Sequence, residues 1–413
     1  MSSTQPSGFS GSHAIATVLL CAALLLCGNG LLQTLLPLRA DLEGFTTASI
    51  GLLGTAYFGG FALGCFVGPV FIKSVGHVRA FAGAAAIFTA LSLIFPLFVN
   101  AYVWGGLRVL SGACVAMLFI VVESWLNDRS TNENRGRILS LYIIVTNIVT
   151  MMGQMMVNLG NTAENVLFML TAMLLCLSIV PLSLTPTVTP KPIPSANLNL
   201  RYLFQISPAA AMGCMFIGCA EGAFWSLGPV FGQERGMSVF DVTMLMAAFV
   251  LGGTLSQWPL GWASDKMDRR IVIAFAAFGG VITGLMLAFV TPQDARVTFL
   301  IAVAHGALMV PLYALCVSHA NDKAPNEKMV EVSSGLLLTF SVGAALGPLL
   351  APYFMRDGAP GGLFIFIAAM LGGLGLVVIL RRASTPLPDD YERSDFYPVP
   401  KTSQSVYALE SEN

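Results

Sequence analysis

Four ionisable residues lie within long apolar stretches of the sequence: Arg108, Glu123, Glu221 and His305. A charged side chain in the hydrocarbon core of a membrane costs about 3 kcal/mol or more, so such residues are candidates for a functional site. Glu221 lies midway along its stretch, beside Gly222 and one helical turn before Trp225. Because burial disfavours the charged form of a carboxyl group, we expect Glu221 to bind a proton or a solute. The alternative is a structural carboxyl group that is hydrogen-bonded to another helix.

The other acidic and basic candidates have structural alternatives as well. His305 is a group that titrates near neutral pH, although a single histidine in an apolar stretch is more often packed and hydrogen-bonded. Glu123 lies at the end of its stretch, near Arg129 and Arg135. We expect Glu123 to form a salt bridge at a gate rather than to contact a solute.

Several uncharged polar and aromatic residues lie at depths comparable with that of Glu221. They are candidates for contact with a solute, and the alternative for most of them is a hydrogen bond or packing contact between helices. The set comprises Asn29, Gln33, Tyr57, Gln154, Trp225, Gln257 and Tyr313.

The composition excludes an ordinary soluble protein. The chain has 413 residues, of which 55% are hydrophobic and 10% charged, whereas soluble domains contain about 25% charged residues. The mean hydropathy is +0.76. A formal net charge of −1 argues against a nucleic-acid partner, which requires a basic surface. The eight cysteines show no CxxC spacing, so we expect neither a metal site nor a disulfide scaffold.

Twelve stretches are long and apolar enough to span a membrane as helices, which takes about 20 residues each. No alternation typical of a membrane β-barrel is visible. The predicted fold is therefore an all-α membrane protein with twelve transmembrane helices. The predicted spans are 14–38, 47–72, 80–99, 102–126, 138–159, 165–185, 208–231, 240–264, 271–291, 297–320, 331–354 and 361–380.

Lysine and arginine residues concentrate in alternate loops, where sixteen of the 21 lie. Because basic residues favour the cytoplasmic side, this distribution predicts that both termini are cytoplasmic. The first span lacks a basic segment before it and a cleavage site after it, so we expect it to be retained. We divide the chain into an N-terminal segment, two six-helix bundles, a connector and a tail that we expect to be disordered. The N-terminal segment comprises residues 1–13 and the tail residues 381–413. The two bundles comprise residues 14–185 and 208–380, and residues 186–207 connect them.

The two predicted bundles match each other at a nearly constant offset. At a spacing of 192, Cys27, Gly30, Pro37, Gly44 and Gly60 align with Cys219, Gly222, Pro229, Gly236 and Gly252. At a spacing of 194, Gly112, Asn127, Asp128, Asn132, Glu133 and Gly153 align with Gly306, Asn321, Asp322, Asn326, Glu327 and Gly347. The spacing of 192 also pairs Asn29 and Gln33 with Glu221 and Trp225. Two related bundles predict a binding site at the interface between them.

Three segments carry a resemblance to a known family. GWASDKMDRR (261–270) resembles the cytoplasmic loop motif of the major facilitator superfamily, with Asp268 where the family usually has glycine, and RVLSG (108–112) resembles its fourth-helix motif. VVESWLNDRSTNENRGR (121–137) is similar to the YcaD-type bacterial branch, whose function is unknown. The resemblance implies a role for Arg108 in proton coupling or in binding an anionic solute. The alternatives are that its side chain extends outward to the membrane surface or forms a local pair.

The family resemblance also implies two charge pairs at the cytoplasmic side. In the superfamily, the acidic residue of each loop motif lies against the start of the fifth or the eleventh helix. Here the loop acid Asp265 faces the fifth-helix start with Arg135 and Arg137, while Lys73 replaces the other loop acid and faces Glu331. Lys73 and Glu331 carry charges opposite to those of their repeat equivalents, Asp265 and Arg137, so the two members of each pair still attract each other. We expect Lys73–Glu331 and Asp265–Arg137 to close the cytoplasmic side; the alternative is solvated loop charges.

These observations predict a secondary transporter that moves a small solute across the bacterial inner membrane by alternating access, coupled to protons through Glu221. No ATP-binding loop, metal-ligand spacing or nucleophile motif is present, so we expect no enzymatic activity and no cofactor besides the proton gradient. The expected partners are the solute and the lipid bilayer, with no nucleic acid, and the protein is expected to be monomeric. An uncoupled facilitator of the same fold, or a non-transporting sensor or assembly factor, are the alternatives.

Overall fold

The computed structural model describes residues 11–128, 130, 135–184, 199–289, 295–325, 328–384 and 396, and these residues form helices and short connections. Within them, twelve segments are long and apolar enough to cross a membrane. The predicted all-α fold with twelve spans is therefore confirmed. The predicted domain boundaries remain predictions, and residues 1–10 and most of the predicted tail lie outside the described part.

Within the described residues, the first half contains seven α-helices. They are α1 (Gly11–Leu42), α2 (Thr47–Val75), α3 (His77–Ile94), α4 (Ala101–Asp128), α5 (Arg135–Met155), α6 (Val166–Leu177) and α7 (Val180–Ser183), and the last two form one span. The predicted connector ends in a short helix, α8 (Leu200–Ile206). The second half contains α9 (Pro208–Glu234), α10 (Val239–Lys266), α11 (Arg269–Phe289), α12 (Ala295–Met309), α13 (Leu312–Asn321), α14 (Met329–Leu350) and α15 (Gly362–Ser384).

Two span boundaries differ from the predicted ones for local reasons. The α2 helix continues to Val75 and α3 begins at His77, because Gly76 adopts a φ of 87° and joins the two helices through one residue. Such a left-handed conformation is readily adopted by glycine. The predicted span 297–320 is interrupted between α12 and α13, where Pro311 precedes α13. Proline has no backbone N–H group and cannot continue the hydrogen-bonding pattern of a helix.

The internal repeat appears in the structure as repeated backbone contacts. A Cβ atom at Gly60 would collide with the Val109 carbonyl, and one at Gly252 would collide with the Val303 carbonyl. These pairs bring α2 against α4 and α10 against α12, at the offsets of 192 and 194 seen in the sequence.

A second pair of glycines repeats the same pattern elsewhere. Gly153 lies against the Cys27 carbonyl and Gly347 against the Cys219 carbonyl, which brings α5 onto α1 and α14 onto α9. Small residues allow membrane helices to approach closely. The equivalent helix pairs of the two halves therefore pack through equivalent glycines.

The helix starts repeat as well. Thr46 caps α2 by accepting a hydrogen bond from the Ser49 N–H group, and Ser238 caps α10 through Asp241 in the same way. The preceding loops both contain a glycine with positive φ, Gly44 at 78° and Gly236 at 73°. Such side-chain caps satisfy backbone N–H groups that have no partner within the helix. The structure therefore supports two related bundles.

We predict that Gly60→Ala destabilises the protein, whereas the adjacent Gly59→Ala does not. A methyl group at Gly60 meets the α4 backbone, while a Cβ at Gly59 has nothing within 4 Å. Overpacking of this kind costs about 1–3 kcal/mol. The thermal unfolding midpoint of purified protein in detergent measures the effect. Gly252→Ala, the repeat partner, should lower the midpoint in the same way, and equal midpoints for Gly59→Ala and Gly60→Ala would contradict the packing described here.

Candidate binding cavity between the two halves

Two adjoining cavities of about 230 and 240 Å³ lie where the two halves meet. Both are lined by Glu221 and Trp225 of α9 and by three residues of the first half, Leu26, Phe119 and Thr150. The first cavity is also lined by Gln257, and the second by Asn29, Gln33, Tyr57 and Gln154. The structure therefore brings together most of the residues that the sequence indicates as solute contacts.

Glu221 lies at the centre of this arrangement and is only 4% exposed. Its neighbour Gly222 packs against the backbone of Ala344, so α9 and α14 approach closely at this level. Trp225 is in contact with Phe224 and Phe249, whose rings fix its position at the cavity wall. Glu221 thus lies on a closely packed pair of helices and lines both cavities.

Arg108 belongs to a polar cluster behind the second cavity. Its guanidinium group donates a hydrogen bond of 2.9 Å to the Gln33 side chain and lies 4.2 Å from the centre of the Tyr57 ring. A further contact of 3.4 Å reaches the Leu53 carbonyl. Arg108 is 4% exposed and is not among the residues that line either cavity. It contacts the cavity through Gln33 and Tyr57, two residues that do line it.

Gln154 is fully buried, and neither atom of its amide group has a hydrogen-bond partner within the described residues. Buried amides without partners cost about 1–3 kcal/mol each. The side chain lies at the wall of the second cavity, on α5. The sequence therefore keeps a hydrogen-bonding side chain at a place where its missing partner costs free energy.

Two predicted site residues lie away from both cavities. His305 is fully buried and forms a 3.0 Å hydrogen bond with Thr283, and its ring packs against Phe364. Tyr313 is also fully buried and packs against Phe340 with ring centres 5.1 Å apart. Their surroundings are those of packed residues of the second half.

The two halves are in contact at one end of the bundle, which we call the closed face and which contains the α1–α2 and α9–α10 loops. Thr47 donates a 3.0 Å hydrogen bond to Glu234 across the interface. Thr55, farther along α2, donates a hydrogen bond of 2.8 Å to the carbonyl of Ala345. Gly51 lies directly against the Pro348 carbonyl, so α2 and α14 touch without intervening side chains.

The α5 and α10 segments also join the halves, through two amide–hydroxyl hydrogen bonds. Asn158, just after α5, donates a 2.8 Å bond to Thr243 near the closed face. Asn147 donates a 2.9 Å bond to Thr254 beside the first cavity. The sequence did not indicate these pairs, because a polar residue on one helix does not reveal its partner in another half.

The opposite face contains the α2–α3 turn and the α10–α11 loop, and here the predicted charge pairs are not formed. Glu331 accepts a 2.6 Å hydrogen bond from Lys328, and Asp265 lies 3.3 Å from Arg269. Lys73 and Arg137 are exposed and form no ion pair with any described residue. The paired-charge hypothesis stays a prediction for another conformation.

Glu123 and Arg135 are the other two residues predicted to belong to the cytoplasmic gate. Glu123 is 1% exposed and accepts a 3.3 Å hydrogen bond from the Tyr142 hydroxyl group. This bond joins α4 to α5 within the first half. The side chain of Arg135 lies outside the described residues.

A buried ion pair anchors the loop motif. Arg269 is 2.7 Å from Asp322, and the two side chains are 1% and 0% exposed. This pair was not predicted from the sequence. Their repeat partners, His77 and Asp128, follow the same offsets of 192 and 194, which is the signal that could have indicated it.

Asp268, which replaces the glycine usual in the motif, is bound by two arginines. It lies 3.1 Å from Arg270 and 3.2 Å from Arg382 of α15. Burial alone raises the pKa of a carboxyl group, but the hydrogen bonds and charges of these arginines hold the pKa of Asp268 below its ordinary value. The substitution therefore ties the end of α15 to the α10–α11 loop.

A family model and a similar protein both indicate the same family for this chain. The model of the Major Facilitator Superfamily matches residues 18–240 and 210–406. An uncharacterized MFS-type transporter, YcaD of Salmonella typhimurium (strain LT2), is 31% identical over 376 residues, which cover 90% of this chain and 97% of that protein.

Solved structures show the same fold at low identity. The nucleoside transporter NupG superposes with a TM-score of 0.76 at 13% identity, covering 91% of this chain and 100% of that chain. A D-xylose-proton symporter gives a TM-score of 0.69 at 13% identity, covering 88% and 96%. The match to the family model and the 31% identity to YcaD show that the chain belongs to the major facilitator superfamily of membrane transporters.

Proposed function

We propose that this protein is a secondary transporter that moves a small solute through the cavity between its halves by alternating access. Proton movement is coupled to this transport through Glu221. The protein acts as a monomer in a bacterial inner membrane, with both termini in the cytoplasm.

The position of Glu221 is the observation that carries the proposal. Its carboxyl group lies on α9 at the wall of both cavities, where the two halves meet, and is 4% exposed. A carboxyl group in such a place is sensitive to any change in its contact with water, because desolvation disfavours the charged form. If the halves rock about the cavity, the group meets water from one side and then from the other. This is the requirement for a proton carrier.

The contacts between the halves support alternating access. The closed face is held by small groups, including Gly51 against Pro348 and the Thr47–Glu234 hydrogen bond. A neutral hydrogen bond contributes about 1 kcal/mol and one to a charged group about 1.5–3 kcal/mol, so a few of them can be exchanged for other contacts. At the opposite face, Glu331 forms an ion pair with Lys328 of its own half, and the Lys73 side chain is exposed. One face can therefore open as the other closes.

The cavity lining favours a compact solute with hydrogen-bonding groups and an apolar or flat face. Asn29 and Gln33 supply amides, while Trp225 and Phe119 supply aromatic surface. Related solved structures include a nucleoside transporter, an E. coli fucose:proton symporter and a D-xylose-proton symporter. Nucleosides, fucose and D-xylose are thus the first solutes to test.

We predict that Glu221→Gln abolishes solute-driven proton movement while solute exchange survives. The amide keeps the shape and hydrogen bonding of the side chain but cannot carry a proton. The assay uses proteoliposomes that contain a pH-sensitive dye, to which the three candidate solutes are added with and without a pH gradient.

Glu234→Gln is the matched control, because Glu234 is a carboxyl group on the same helix but lies at the closed face. It should retain proton movement. Proton movement that is unaltered in Glu221→Gln rules out Glu221 as the carrier, and solute exchange without proton movement in the wild type indicates an uncoupled facilitator.

We further predict that Lys73→Glu and Glu331→Lys each hold the opposite face open, and that the double substitution restores closure. Each single change replaces attraction by repulsion in the closed conformation. An exposed pair contributes at most about 1 kcal/mol, so the expected shift in the conformational equilibrium is about five-fold.

A cysteine introduced at Gln257, which lines the first cavity, reports closure through its labelling by a maleimide that does not cross membranes. Labelling should rise in both single variants and return to the starting value in the double variant. A double variant that labels as fast as the singles shows that Lys73 and Glu331 do not pair.

A further inference from the structure

Gln154 is a buried amide whose hydrogen-bonding capacity is unused. It lies on α5, where its side chain is fully buried and forms part of the wall of the second cavity. Its Oε1 and Nε2 atoms both lack a hydrogen-bond partner among the described residues, and no other buried amide in that part of the chain lacks partners for both atoms. A buried polar group without a partner is unfavourable, so the stability of this conformation does not account for Gln154.

The backbone around Gln154 is held in place by close helix packing. The preceding residue, Gly153, lies directly against the Cys27 carbonyl, and Gly30 lies against the Thr150 carbonyl. These contacts hold α5 tightly on α1 at the level of the second cavity. The missing partners of the Gln154 amide must therefore come from a molecule that occupies the cavity, either water or the solute.

Two other polar groups of the second cavity are already used within the protein. The Gln33 amide oxygen accepts the 2.9 Å hydrogen bond from Arg108. The Ser341 hydroxyl group donates a 2.8 Å hydrogen bond to the Leu337 carbonyl. Gln154 differs from both, because its donor and its acceptor are unused. Such a wall favours a solute with one hydrogen-bonding edge over a monosaccharide, which carries hydroxyl groups on all sides.

Aromatic side chains are enriched in the wall of the second cavity. They supply six of its fifteen lining residues, whereas aromatic residues make up 10% of the chain. Phe61 and Phe119 meet edge to face with ring centres 6.3 Å apart, and Trp225 meets Phe249 at 89°. Edge-to-face contacts leave ring faces without a stacked neighbour, and such faces bind flat rings. The six lining residues are Tyr57, Phe58, Phe61, Phe119, Trp225 and Phe340.

An unused amide beside aromatic faces is a combination that suits a nucleobase. The side-chain amide of glutamine binds the edge of a base through two hydrogen bonds, one donated and one accepted. Aromatic side chains stack on the flat faces of bases. Enzymes that hold a single base in a pocket use the same two kinds of contact. In this protein both kinds of group line one cavity.

We propose that the second cavity binds the base of a nucleobase or nucleoside, whose edge pairs with the Gln154 amide and whose ring lies against the aromatic wall. In this pair, Nε2 donates to an oxygen or nitrogen acceptor of the base, and Oε1 accepts from the adjacent N–H group. A ribose attached to the base has room in the adjoining first cavity. The inference rests on the proposed passage of a solute through these cavities but not on proton coupling.

Isothermal titration calorimetry of the full-length protein in detergent tests this pairing with two matched pairs of ligands. Uridine is compared with uridine methylated on its ring N–H group, and adenosine with adenosine dimethylated on its amino group. Methylation removes the donor of the edge but keeps the flat ring. At least one nucleoside should bind about 10- to 100-fold more tightly than its methylated analogue, which leaves Oε1 of Gln154 without a partner. Equal binding within each pair overturns the pairing, and binding of neither nucleoside overturns the substrate class.

Gln154→Met separates recognition from structure, because methionine has nearly the same length but no amide. The preference for the unmethylated nucleoside should fall to less than about three-fold. The unfolding midpoint of the ligand-free variant should equal or exceed that of the wild type, since an unpartnered polar group has been removed. A lower midpoint shows that water already satisfies the amide, and an unchanged preference shows that the amide does not touch the base. Either result overturns the assignment.

Gln233→Met is the matched control for this substitution. Gln233 lies at the closed face, 3.5 Å from the Leu38 carbonyl, and lines neither cavity. The variant should keep the wild-type preference for the unmethylated nucleoside, and loss of that preference in Gln233→Met contradicts a role specific to Gln154. Transport itself is measured separately in proteoliposomes with fucose and D-xylose, so the substrate class can fail while the transport proposal stands.

Discussion

The central physical constraint in this protein is the burial of an ionisable carboxyl group at the interface between two bundles. Glu221 is 4% exposed and borders both cavities. A charge in such a place is costly, so its state depends on how much water and which polar groups surround it. Any relative motion of the two bundles changes those surroundings. In the proposed mechanism, this position of Glu221 links its protonation to the conformational equilibrium.

Contacts within the bundles and contacts between them both include glycines packed against a backbone. Within each half, helices touch at glycines such as Gly153 and Gly347. Between the halves, Gly51 lies against the Pro348 carbonyl, and single hydrogen bonds such as Asn147–Thr254 add polar contacts. A single neutral hydrogen bond contributes only about 1 kcal/mol, so in the proposed mechanism these polar contacts are the ones that are exchanged as the halves move.

Much of the fold follows from the sequence, because length and hydropathy alone define membrane spans. Most of the glycines that align at 192 and 194 lie where helices touch, since only the smallest residue fits there, whereas Gly44 and Gly236 lie in loops and adopt positive φ. Local exceptions came from single residues, namely Gly76, which shortens a loop to one residue, and Pro311, which divides a span.

The site was predicted less completely, because in an apolar helix the sequence does not tell which face points to the cavity. Glu221 and Gln33 line it, whereas His305 packs against Phe364 inside the second half. The Arg269–Asp322 pair and the Asn147–Thr254 hydrogen bond depend on contacts between segments that are distant in the sequence. Such contacts leave no local pattern in a single sequence.

The most direct measurement of the central claim is infrared difference spectroscopy of the acid carbonyl stretch of Glu221 in protein locked in each conformation. A cysteine cross-link between positions 47 and 234 holds the closed face, and one between positions 73 and 331 holds the opposite face. At a constant pH, we expect the carbonyl band that is assigned to Glu221 through the Glu221→Gln variant to be present in one locked form and absent from the other. A band of equal intensity in both forms would contradict it.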